Sequence, residues 1–131
     1  MLHNLGSKSY LGTLLACDSR TASADGTGFD LEGSNGAEGE AIVILASDAA
    51  SAGTDPTLDV KLQESDVEGS GYTDISGATF TQVTDAAQAL EKITINTNDV
   101  KRYLRAVGTI GGTSSPAFTY SVALVYGKKY D

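Results

Sequence analysis

The sequence predicts an all-β protein, a sandwich or barrel of eight or nine short strands. Three observations point there. Apolar segments recur roughly every 8 to 15 residues between turn clusters, the rhythm of a sandwich or barrel. Two segments alternate strictly, "TLDVKLQ" (57–63) and the run from Ala117 to Tyr126, with the period of two that places side chains on opposite faces. Finally, 15 glycines and abundant Ser, Thr, Asp and Asn supply turns. The only helical pattern, "TDAAQALEK" (84–92), is under three turns long and reads as a short connector.

Taken in order, residues 1–13 are polar and glycine-dotted and read as an N-terminal arm, followed by a single sandwich domain over 14–131. "LLACDSR" (14–20) and "GTGFDLE" (26–32) are short strand candidates. "AIVILA" (41–46) is apolar on both faces, which fits either a central strand or one whose outer face a partner covers. In "TLDVKLQ", Leu58, Val60 and Leu62 point inward and Pro56 sits at the strand start, where a missing amide is tolerated. "YTDI" and "TFTQV" read as a hairpin about Ser76, Gly77 and Ala78. "KITINT" puts Ile93 and Ile95 on one face, and "VKRYLRAV" follows after a turn at Asn98 and Asp99. The last strand has a heavy face (Phe118, Tyr120, Val122, Leu124, Tyr126), expected in the core, and a light face (Ala117, Thr119, Ser121, Ala123, Val125) that admits solvent or a neighbour.

The glycine cluster in "GTIGGTSSP" (108–116) does not read as a phosphate loop. Nucleotide fingerprints need a helix N-terminus after the glycines, and here a β-patterned segment opened by Pro116 follows, with no Gly-Lys-Ser/Thr. The cluster is expected to join two antiparallel strands.

Composition narrows function by exclusion. A net charge of −8 argues against a nucleic-acid partner, which needs a basic stripe. The imbalance is uneven: residues 21–91 hold fourteen carboxylates against Lys61 alone, whereas 92–131 hold six bases against Asp99 and Asp131. No window is apolar enough for a membrane helix, and the "LLAC" stretch (14–17) lacks the basic start and apolar core of a lipoprotein signal. The single cysteine, Cys17, excludes an internal disulfide, fits a reducing compartment, and is expected to be a buried inert thiol.

No catalytic constellation is visible, so the chain reads as a non-enzyme with no cofactor. The one histidine, His3, lies in the arm with nothing to hold it in register. "SADGTG" (23–28) and "SDVEGSG" (65–71) lack the ligand spacing of a calcium loop, so no metal is expected and both read as solvated turns. With no Trp and its aromatics mostly in core phase, the chain also lacks the platforms of a glycosidase. What remains are association surfaces. Lys101, Arg102 and Arg105 form the densest basic cluster, read either as a solvated strand edge or as a contact to an acidic partner, including an identical copy's acidic segment.

Two segments carry a resemblance: "LDVKLQESDVEGSGYTDISGATFTQV" (58–83) and "ITINTNDVKRYLRAVGTIGGTSSPAFTYSVALVYGKK" (93–129). In their order of alternating strand, acidic glycine hairpin, Arg-Tyr-hydrophobic-Arg strand, glycine turn and long final strand, they resemble the jelly-roll capsid cement or head-decoration proteins of tailed bacteriophages. The resemblance covers about half the chain. It implies an antiparallel β-sandwich of jelly-roll type with about eight strands and an N-terminal arm, a structural protein made in the bacterial host cytoplasm that sits on the outer capsid surface and clamps adjacent major capsid subunits against DNA pressure. The implied partners are the major capsid protein and the chain itself, as a homodimer or homotrimer. The contact residues expected on this reading are Leu5, Tyr10 and Leu11 of the arm, Lys101, Arg102 and Arg105 of the basic strand, and Tyr126, Lys128 and Tyr130 of the tail. The competing class is a carbohydrate- or receptor-binding sandwich on the virion.

Overall fold

The computed structural model describes residues 8–128. Its eight elements are all strands: β1 (Tyr10–Arg20), β2 (Ala24–Asp25), β3 (Phe29–Asp30), β4 (Ala37–Ser47), β5 (Ala52–Ser65), β6 (Thr73–Thr79), β7 (Ala89–Asn96) and β8 (Tyr103–Lys128). Every pairing is antiparallel. The expected antiparallel sandwich of jelly-roll type is borne out.

β8 organises the molecule. At 26 residues it would run about 88 Å if straight, far more than a domain of this size spans, so it must bend. Its first half pairs with β5 and with the short β2 and β3; its second half lies between β1 and β4, and β4 pairs onward to β7. Two leaves result, sheet A (β1-β8-β4-β7) and sheet B (β6-β5-β8 with β2 and β3), joined where β8 turns from one to the other.

That turn is the glycine cluster. Gly112 has φ +110°, and a Cβ there would meet the Asp55 and Thr54 carbonyl oxygens at 2.8 and 2.9 Å, so only glycine fits. Ser114 and Ser115 follow in the left-handed region. The expected connection between two strands is therefore corrected: the glycines bend one continuous strand around a corner. The backbone of β5 stays paired with β8 through the bend, which removes any need for a hairpin.

The core lies between the leaves and contains both alternating runs. Leu58, Val60 and Leu62 from β5 are fully buried, as are Phe118, Tyr120, Val122 and Leu124 from β8, and Val43 and Leu45 from β4 join them. Tyr126 is also buried, its ring 5.7 Å from Phe29 and 5.9 Å from Tyr10.

Four local expectations are corrected. Tyr10–Thr13, assigned to the arm, pair in register with Tyr126–Ala123, so β1 begins before the expected boundary at residue 14; residues 1–7 of the arm lie outside the described residues. The segment 84–92 is not helical. It crosses to sheet A and enters β7 at Ala89, where pairing with β4 outweighs a weak local helical preference. Residues 76–78 do not turn a hairpin, because β6 runs through them beside β5 and accommodates them with a register shift. Cys17 is exposed. A register irregularity in β1 between Thr13 and Asp18 lets both Leu14 and Leu15 face the core, and the interrupted alternation leaves Cys17 outside.

Candidate protein-association surface

The two leaves present opposite kinds of surface. On sheet B the outward residues form a closed polar network. Asp74 accepts from Lys61 Nζ at 3.1 Å and from Gln63 Nε2 at 2.8 Å, and Gln63 Oε1 in turn accepts from Arg105 Nε at 2.9 Å. The Arg105 guanidinium lies 4.1 Å from the Tyr72 ring centroid and 3.9 Å from Asp25. Asp59 accepts from Gln82 Nε2 at 3.0 Å. Such a surface is satisfied internally and faces water at little cost.

The basic strand belongs to this network and is neutralised by the chain's own acidic segment. Arg102 binds Asp30 through two parallel hydrogen bonds, Nε to Oδ1 at 2.9 Å and Nη2 to Oδ2 at 3.0 Å, with Glu32 at 3.5 Å. This pairing holds the Asp30 carboxyl below the usual carboxylate range and raises the Arg102 pKa. Lys101 approaches Asp66 at 4.0 Å, and its backbone N–H donates to Glu64 Oε1 at 2.9 Å. Lys101, Arg102 and Arg105, expected either as a solvated strand edge or as a contact to an acidic partner, are thus paired with carboxylates of their own chain. The depressed Asp30 pKa makes a prediction. Its contribution to stability is present above the unfolded carboxylate pKa of about 3.9 and is lost as pH falls through the lower folded value. An Asp30→Asn protein is thus expected to melt lower than the native chain at pH 7, with the difference beginning to shrink only once pH falls below about 3.9, as thermal melts across that range would show.

Of the expected tail contacts, Tyr126 turns inward, whereas Lys128 stays partly exposed at the end of β8. Tyr126 is core and donates from its hydroxyl to Asn35 Oδ1 at 3.3 Å, and Lys128 Nζ sits 4.4 Å over the Tyr10 ring. Tyr10, Tyr126, Phe29 and Lys128 therefore form one cluster at the end of sheet A where β1 begins and β8 ends. Leu5 and Tyr130 lie outside the described residues.

Leu11 is different: it is 77% exposed, on the outer face of sheet A. The registers arrange this face in three rows of residues from β1, β8, β4 and β7. The first is Leu11, Val125, Ile42 and Thr94; the second Thr13, Ala123, Ile44 and Lys92; the third runs from Cys17 at the β1 edge through Ser121 and Ala46 to Leu90. Leu90 is 80% exposed. Across these rows Lys92 is the only charge, with Glu40 and Asp48 at the two margins. At the third row a cleft of about 510 Å³ opens between Cys17 and Leu90, floored by Ala46, Thr119 and Ser121. In a chain of net charge −8 this concentration of uncharged side chains is the surface suited to contact with protein.

The sequence carried signals for this face that the candidate residues did not use. The doubly apolar "AIVILA" is a central strand whose inward residues, Ala41, Val43 and Leu45, are buried, while Ile42 and Ile44 face outward and are only half-buried. The light face of β8 lies beside them. Only the register shows that Leu11 and Leu90, nearly eighty positions apart, border the same patch.

No protein-family model matches the chain, and no curated protein matches it in sequence. Two solved structures are similar to it: that of infectious bursal disease virus Gx strain, at 12% identity and TM-score 0.48 over 94% of this chain and 33% of that one, and that of the infectious bursal disease virus VP2 subviral particle, at 12% identity and TM-score 0.45 over 92% and 32%. The chain thus spans about a third of the length of those chains.

Proposed function

We propose that this protein is a non-enzymatic structural component of a tailed-phage virion that binds the outer surface of the capsid and clamps adjacent major capsid subunits. The observation that carries the reading is the outer face of sheet A, a nearly uncharged patch through which an acidic molecule, whose other leaf is a self-satisfied polar surface, can assemble with protein and so act as a multivalent clip. The resemblance of residues 58–83 and 93–129 to capsid cement proteins supports it, since those segments take in all of β6 and β8 and parts of β5 and β7. Shell contact falls to the end of sheet A carrying Tyr10 and Lys128, and the expected contacts Leu5 and Tyr130 lie close to these two residues in sequence. Clamping follows from engaging two subunits at once, because separating them then breaks both sets of contacts.

Glycan binding, the competing reading, has one specific place: a polar cleft of about 420 Å³ lined by residues including Glu32, Thr97, Asn98 and Lys101. Among the described residues no aromatic ring lines it, which favours the shell reading. The test is cosedimentation with capsids lacking the protein, using the full chain and a chain deleted of residues 1–7. All eight strands lie outside that cut, so the deleted chain is expected to fold and melt like the full one while binding shells at least about tenfold more weakly. Saturable binding that raises the shells' melting temperature supports the proposal. A full chain that ignores capsids refutes it, and unchanged binding by the deleted chain removes residues 1–7 from the contact.

A further inference from the structure

The outer face of sheet A has an order that its apolarity alone does not require. Reading each row in reverse, as a two-fold axis parallel to the strands and between β8 and β4 would do, sets large residues against small ones. In the first row Leu11 meets Thr94, in the second Ile44 meets Ala123 and Lys92 meets Thr13, and in the third Leu90 meets Cys17, while Ile42 and Val125 form one pair of similar size. Ala46 and Ser121 meet over the floor of the cleft. An axis across the strands would instead bring Lys92 onto its own copy, so charge selects the parallel one.

We propose that two copies of this chain pack sheet against sheet through this face, each placing Leu90 at the Cys17 side of the other's cleft. The proposal deepens the reading of the face as a protein-covered surface and names its occupant. Charge permits a second copy here, because two chains of −8 repel wherever their acidic segments meet, and these three rows contain no carboxylate, Asp48 lying at the margin of the cleft and Glu40 at the opposite margin. Size fits as well. Four strands about 4.8 Å apart and about seven residues long give roughly 450 Å² of sheet per copy, so both copies together approach the lower limit of specific interfaces. The dimer is therefore reversible rather than obligate, and sheets of like twist stack in this aligned way about 10 Å apart. A two-fold dimer also supplies the two identical shell-binding ends that a clamp requires.

The test is sedimentation over an about hundredfold range of protein concentration, where mass action draws a reversible dimer out. The native chain is expected to rise from 13.5 kDa toward twice that mass. Leu11→Asp and Leu90→Asp are expected to weaken association about tenfold or more without lowering the melting temperature, since both leucines are about four-fifths exposed. A second variant fixes the geometry. Under mild oxidation Leu90→Cys should form a covalent dimer through Cys17 of the other copy, whereas Leu11→Cys, which faces Thr94, should not. Positions 17 and 90 of one chain lie three strand spacings apart, about 14 Å, too far for an internal disulfide. A chain that stays monomeric, a dimer that persists in both Asp variants, or equal cross-linking by both Cys variants overturns the proposal. A monomer whose Asp variants lose capsid binding would assign the face to the shell instead, leaving the virion reading intact while removing the dimer.

Discussion

A Gly108→Ala protein is expected to melt several degrees below the native chain. Gly108 lies on β8 opposite Val60, facing the core, and an added Cβ would overlap the Tyr120 hydroxyl and stand 2.9 Å from the ring carbon that bears it. Tyr120 is 1% exposed and has no room to move aside. Overpacking of this kind costs roughly 1–3 kcal/mol. The same hydroxyl is the one buried side-chain polar atom among the described residues that lacks a hydrogen-bond partner, and burial raises its pKa. Tyr120→Phe alone should therefore be close to neutral or slightly stabilising, because it removes a group already desolvated without compensation. Combined, the two changes should be non-additive, with Tyr120→Phe recovering part of the loss. Four melts in one cycle check the claim. Strict additivity would mean that the two positions are not in contact.

Phe118→Ala should cost more, about 3–5 kcal/mol, or roughly 10–15 °C in melting temperature for a domain of this size. Phe118 is fully buried and follows the corner at Pro116, where β8 has just entered sheet A and pairs with Arg20 of β1. Removing the ring opens a cavity where the two leaves join, and neighbours already committed to both leaves cannot collapse into it. A loss under about 1 kcal/mol would show that this site relaxes freely and that the corner is not a packed joint.

The fold was legible wherever burial imposes a period. Leu58, Val60 and Leu62, and the heavy face of β8, could be assigned inward from alternation alone because a core fills one face of each strand. Where a long-range pairing decides, local pattern failed. "TDAAQALEK" has a weak helical preference that pairing with β4 overrides, and the glycines at 108–112 announce a change of direction without telling a corner from a hairpin. Cys17 was misplaced because a bulge in β1, silent in the sequence, shifts the phase by which its burial was inferred.

The candidate surface was less legible, for a related reason. The basic cluster stood out by composition, yet its partners Asp30, Asp25 and Asp66 come from distant segments and only the fold brings them to it. The apolar face was advertised by "AIVILA" and by the light side of the last strand, but its large and small residues acquire their complementary order only through the registers of four strands.

The most direct test of the central claim, that sheet A's outer face is covered by protein when this molecule associates, uses the chain's own Cys17. This thiol is exposed at the edge of the cleft, so its alkylation rate reports whether the face is open. Measured at concentrations below and above the association seen by sedimentation, the rate should fall as association proceeds and should stay high in Leu11→Asp at every concentration. A rate that is unchanged while the native chain demonstrably associates would contradict the account, because the contact would then lie elsewhere.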